Sequence, residues 1–135
     1  MTKYLGLDIG TVRVGVSITD ASGSIAFPMS TFPFDDAIDE ISKVIEIEDI
    51  DQIVVGIPFS LSGKSGKSVE LVESFLMKLL LEKPQVTIHK VDERFSTSIA
   101  ENQLKSTNRS PSKSRSIIDQ LAAVNILQTF LDSKR

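Results

Sequence analysis

Asp8, the pair Asp92-Glu93, and Asp119 are the acidic residues whose settings could do chemistry. Asp8 stands in Tyr4-Leu5-Gly6-Leu7-Asp8-Ile9-Gly10-Thr11, an otherwise apolar run with a glycine on either side. A central strand usually reads as a continuous Val/Ile/Leu run, because both its faces are covered. A carboxylate inside one must be hydrogen-bonded, paired or bound to a metal to offset its desolvation. Gly6 and Gly10 leave room for another backbone or a phosphate to approach closely. Asp92-Glu93 closes a short strand pattern, and Asp119 lies in a long helical one. With the first strand at the centre of a sheet, these positions converge at one end of the strands. Such a cluster suits Mg²⁺ or Mn²⁺, which favour carboxylate and water oxygens. Two ions about 4 Å apart would activate a water and stabilise the leaving oxygen of an in-line phosphodiester displacement.

Each acid has a plainer alternative. Asp8 could be a hydrogen-bonded turn residue, and Asp92 and Glu93 could be loop acids paired with Arg94. Ser116-Ile117-Ile118-Asp119 matches a capping box with Asp119 at its third helical position. Ser110-Pro111 offers an earlier start with proline at the first helical position, which leaves Asp119 mid-helix and in need of a partner. The ligand role is the preferred reading. Gly63-Lys64-Ser65-Gly66-Lys67-Ser68 resembles a nucleotide-binding P-loop but fails it, because Leu61 stands where the pattern demands glycine. Lys64 and Lys67 in this Ser/Gly-rich loop are read instead as contacts to phosphate. His89, the only histidine, sits mid-strand and is read as structural. With one histidine and no cysteine, disulfides are excluded, and zinc catalysis and Ser-His triads are poorly supported.

The elements that must hold these residues follow from periodicity. Residues 3–9 and 13–19 read as strands, and Asp20-Ala21-Ser22-Gly23 as a turn. Ile25 to Phe32 completes a meander, with Pro28 marking an edge position. Asp35 or Asp36 is expected to cap a helix carrying Ile38, Ile41, Val44 and Ile45. Residues 52–57 form a short buried strand. A helix with Val69, Val72, Leu76, Leu79 and Leu80 as its stripe follows, then a strand from Val86 to Val91 and a short helix near Ser98 to Leu104. The last helix, from about Pro111 to Asp132, is apolar around most of its circumference and is expected to be well buried. The order βββαβαβαα implies an α/β fold with a mixed sheet covered on both faces.

The chain has 135 residues, 41% of them apolar, enough for one domain with a real core and too few for two. No apolar run approaches the roughly 20 residues that span a bilayer, and no signal-peptide pattern opens the chain, so a cytoplasmic protein without a membrane partner is expected. The net charge of −3 gives no general reason to expect nucleic acid. Its distribution is more useful. Eight acids fall between Asp35 and Asp51, whereas Asn102 to Ser116 holds Lys105, Arg109, Lys113 and Arg115 and no acid. A chain can be acidic overall and still present a local phosphate-binding surface. The basic segment could position a nucleic-acid backbone, with Arg13 and Arg94 nearer the chemistry.

Four blocks then fall in a recognisable order. They are Gly6-Leu7-Asp8-Ile9-Gly10 with Arg13-Val14-Gly15-Val16, Val54-Val55-Gly56-Ile57-Pro58 with Gly63, Asp92-Glu93-Arg94 with Ser96-Thr97, and Ile118-Asp119-Gln120-Leu121-Ala122-Ala123 with Ile126-Leu127-Gln128. Together they resemble the YqgF/RuvX family, whose members are described as Holliday junction resolvases or pre-16S rRNA nucleases. The resemblance implies an RNase H-like fold, a five-stranded mixed sheet with helices on both faces, in a bacterial cytoplasmic protein. It also implies a Mg²⁺- or Mn²⁺-dependent nuclease site carried by Asp8, Glu93 and Asp119, with Asp92 as a neighbour. The implied substrate is precursor rRNA or branched DNA, and a monomer or weak homodimer is expected. The family's last helix is often preceded by a denser Lys/Arg cluster. Here that stretch, Ser110 to Ser116, is diluted with serine.

Overall fold

A computed structural model describes residues 2–58, 67–92 and 111–134. The chain forms β1 (Tyr4–Ile9), β2 (Arg13–Thr19), β3 (Ala26–Pro33), α1 (Phe34–Ile47), β4 (Gln52–Ile57), α2 (Lys67–Glu82), β5 (Thr87–Asp92) and α3 (Pro111–Ser133). The five strands make one sheet in the order β3-β2-β1-β4-β5. The β1–β2 and β2–β3 pairs are antiparallel, and the β1–β4 and β4–β5 pairs are parallel. The expected mixed sheet with β1 at its centre is thus present. The expected helix near Ser98 to Leu104 lies outside the described residues.

Alternation along each strand sorts side chains between two cores. Leu5, Leu7 and Ile9 of β1, Val14 and Val16 of β2, and Ile53, Val55 and Ile57 of β4 pack with Ala37, Ile41 and Ile45 of α1 and with Val72, Phe75, Leu76 and Leu79 of α2. Tyr4, Ala26 and Val54 pack on the other face against Ile126, Leu127 and Leu131 of α3. Full burial of one such Leu or Ile contributes about 1.5–3 kcal/mol relative to exposure.

Pro28 lies on the edge strand, as its missing N–H requires, opposite Ser17 where the β2–β3 register shifts between Val16 and Ser17. Two expectations need correction. Neither Asp35 nor Asp36 caps α1. The helix starts at Phe34 after Pro33, with no side-chain cap bond, and both acids occupy its first turn. There they face the positive end of the helix dipole, which favours acids without a capping bond. The last helix is also less buried than its composition suggests. Ala123, Ile126, Leu127 and Leu131 are buried, while Ile117, Ile118, Leu121 and Ala122 keep partial exposure, because α3 meets the sheet along one side.

Candidate active site

Gly15 links the positions of Asp8 and Asp119 on the α3 face of the sheet. In the β1–β2 ladder Asp8 is paired directly with Gly15. Such cross-strand neighbours point to the same face with Cβ positions about 5 Å apart. Asp119 lies over Gly15: a Cβ on that glycine would stand 3.0 Å from the Cβ of Asp119 and inside contact distance of its carbonyl group. The missing side chain at position 15 therefore lets α3 descend until Asp119 rests on the strand neighbour of Asp8. Because α3 starts at Pro111, Asp119 is mid-helix, and the capping-box alternative at Ser116 falls away.

Arg13 is bound to Asp119. The two-residue turn Thr11-Val12, closed by the Gly10 N–H donating to the Arg13 carbonyl at 2.9 Å, starts β2 with Arg13 on the same face as Gly15. Its Nε donates to Oδ2 of Asp119 at 2.6 Å. The side chains are 34% and 19% exposed, so the pair is partly desolvated and contributes more than a fully solvated one. Arg13 was expected to contact nucleic acid; here its guanidinium is engaged with the carboxylate.

Polar straps fix α3 lengthwise. Ser17 Oγ donates to the Ala123 carbonyl at 2.8 Å, and Thr31 Oγ1 donates to the Ser116 carbonyl at 2.8 Å and accepts from Gln120 Nε2 at 3.2 Å. Further along, Gln128 Oε1 accepts from the Ala26 N–H at 2.9 Å. Gly6 belongs to the same seat. A Cβ there would come within 2.7 Å of the Leu127 Cβ and 2.9 Å of the Ala123 carbonyl oxygen. Of the two approaches read from Gly6, another backbone or a phosphate, the structure has the first: the glycine makes room for the backbone of α3. Sequence reasoning missed these straps. The available signal was the succession of small residues Gly15 and Ser17 at alternate positions of β2.

The acid of β5, Asp92, falls on the opposite face. Lys90 Nζ donates to Glu73 of α2 at 2.8 Å, whereas Val91 packs in the α3-side cluster. Alternation therefore puts Asp92, paired with Ile57, on the α2 side, opposite to Asp8. Glu93, Arg94, Lys64, Lys105 and Arg109 lie outside the described residues. Lys67 and Lys113 fall within α2 and α3, and Arg115 is exposed on α3. Among the described residues no group of three His, Cys, Asp or Glu side chains is gathered as for a metal ion. His89 is structural, as expected: it stacks near Phe130 with ring centroids 4.7 Å apart and bonds Gln52 at 2.6 Å, away from Asp8. Burial and, secondarily, the Lys134 charge hold its pKa below the ordinary value.

Residues 2–133 match the family model described as "RuvX: Holliday junction resolvase". The chain belongs to the RuvX family. A "Putative pre-16S rRNA nuclease" of Fusobacterium nucleatum is 41% identical, with all of both chains covered. A protein of the same description from Bacillus thuringiensis is 40% identical over 98% of this chain and 99% of its own. Among solved structures, RuvC of T. thermophilus in complex with a Holliday junction superposes with a TM-score of 0.61 over 99% of this chain and 96% of its own, at 12% identity. That likeness establishes for this RuvX-family chain the RNase H-like fold of RuvC. No described helix is long and apolar enough to cross a membrane.

Proposed function

We propose that residues 1–135 form a single RNase H-like nuclease domain, a cytoplasmic Mg²⁺- or Mn²⁺-dependent endonuclease that hydrolyses phosphodiester bonds of structured nucleic acid. The substrate we assign is the 5′ end of precursor 16S rRNA, in line with the names of the full-length relatives. One observation carries the reading: α3 is seated on Gly15, so that Asp119 lies over the cross-strand neighbour of Asp8, near the carboxyl end of the central strand. Open α/β sheets bind ligands at that end, where strand order turns about. Here β1 is antiparallel to one neighbour and parallel to the other.

The donors fit a hard cation. Both are carboxylates on one face of the sheet, and the chain has no cysteine to offer a thiolate. Glu93 is the third donor of the proposal. It is carried over from the motif Asp92-Glu93-Arg94, whereas Asp92 itself, paired with Ile57, falls on the α2 side. When bound, the divalent ion supplies Lewis-acid stabilisation of charge at the reacting phosphate. Asp8, Glu93 and Asp119 hold it, and Arg13, Lys64, Lys67, Arg94, Lys105, Arg109, Lys113 and Arg115 position the phosphate backbone.

A second reading, cleavage of four-way DNA junctions, is favoured by the family description and by the RuvC fold. It requires two coordinated cuts and hence a symmetric dimer, whereas we propose a monomer or weak homodimer. Labelled precursor RNA and a labelled four-way junction, each incubated with the purified chain in Mn²⁺ or EDTA, separate the readings. We expect Mn²⁺-dependent RNA cleavage that Asp8→Asn abolishes. Cleavage of the junction alone favours the second reading. RNA binding without metal-dependent cleavage would make the chain a binding module and overturn both.

A further inference from the structure

The Arg13–Asp119 contact sets one cation on a carboxylate that is also a proposed metal ligand. Carboxylate oxygens bind Mg²⁺-sized ions at about 2.1 Å. At 2.6 Å from the Arg13 Nε, Oδ2 of Asp119 already accepts a charge-assisted bond from one cation. A divalent ion on the same carboxylate would stand within a few ångströms of the guanidinium, in a setting partly shielded from water, where like charges repel strongly. The geometry also leaves Arg13 somewhere to go. It is the first residue of β2, directly after the exposed turn residues Thr11 and Val12, and its own side chain is about one-third exposed.

We propose that Arg13 is a displaceable counter-cation: it and the divalent ion compete for Asp119, and the displaced guanidinium takes a substrate phosphate. The inference rests on the metal-site reading above and adds to it an exchange at one residue. Its chemistry follows from the groups involved. Arginine cannot deprotonate to relieve the repulsion, and its planar fork suits phosphate as well as carboxylate. Metal and nucleic acid are then linked, each raising the affinity for the other by the same factor.

Mn²⁺ binding to the full chain, followed by calorimetry and by the loss of free-ion electron paramagnetic resonance signal, tests this without any cleavage. Arg13→Gln should bind Mn²⁺ about tenfold more tightly than the parent, the size expected for freeing one charge-assisted contact. Arg13→Lys, which keeps the charge, should stay near the parent. A purely structural Arg13, needed to hold Asp119 in place, predicts the opposite sign. Equal or weaker Mn²⁺ binding by Arg13→Gln, with parent binding still lost in Asp8→Asn and Asp119→Asn, overturns the exchange and leaves the metal site standing. Parent binding indifferent to Asp8→Asn and Asp119→Asn overturns the site and the exchange together.

Discussion

Replacing Gly15 with alanine puts one methyl group between the central sheet and the helix that carries Asp119. The new Cβ would lie 3.0 Å from the Cβ of Asp119 and inside contact distance of its carbonyl carbon and oxygen. Carbon atoms pack best about 3.5–4.0 Å apart. The obstructing carbonyl is backbone, so no rotamer change relieves the clash, and α3 must retreat by on the order of 1 Å near Asp119. Overpacking of this kind costs about 1–3 kcal/mol. For a domain of this size that lowers Tm by roughly 3–12 °C. A shift of that size at a ligand can cost about 10²-fold in rate. The assay pairs a thermal melt with Mn²⁺-dependent cleavage of labelled precursor RNA at saturating substrate. Gly6→Ala is the comparison. It also collides with α3 backbone, at Ala123, but at a position away from Asp119, so it should lower Tm similarly while costing less activity. The reasoning is refuted if Gly15→Ala melts within about 1 °C of the parent and cleaves at the parent rate.

Three further outcomes follow from the same contacts. Leu127→Ala removes a fully buried side chain from the α3 seat and should destabilise by about 2–5 kcal/mol in urea titrations, with the slope unchanged. Ser17→Ala removes the bond to the Ala123 carbonyl and should cost about 1 kcal/mol by the same measurement. His89 has a folded-state pKa below its ordinary 6.5, so the unfolded chain binds its proton first as pH falls. Its contribution to stability is complete above pH 6.5 and declines as pH drops from there through the folded value. Parent Tm should therefore fall more steeply between pH 7 and 5 than that of His89→Gln, which cannot titrate.

Strand pattern and site differ in how much of them a single sequence exposes. β1, β2 and β4 were legible because Leu5, Leu7 and Ile9, Val14 and Val16, and Ile53 and Val55 alternate or run together, as strands between two layers must. The start of α1 was not, since Pro33-Phe34 carries no capping side chain and the nearby aspartates mimic one. Asp8 announced itself as a charge in a buried strand. Asp119 was ambiguous locally, because two helix starts were available and only packing against Gly15 fixes which one is used. Gly6 and Gly15 show the harder problem. A glycine signals that something approaches closely, but it does not say whether the visitor is a helix or a substrate. The Arg13–Asp119 pair was equally hidden, since no local pattern links a hairpin residue to a helix at the far end of the chain.

The central claim is that Asp8, Glu93 and Asp119 form one cation site, and anomalous scattering from crystals of the full chain grown with Mn²⁺ tests it most directly. A cation held there should give an anomalous peak about 2.1–2.2 Å from carboxylate oxygens of Asp8 and Asp119, with Glu93 completing the set and Asp92 outside it. Mn²⁺ bound elsewhere, with no peak within coordination distance of Asp8 and Asp119, would contradict it.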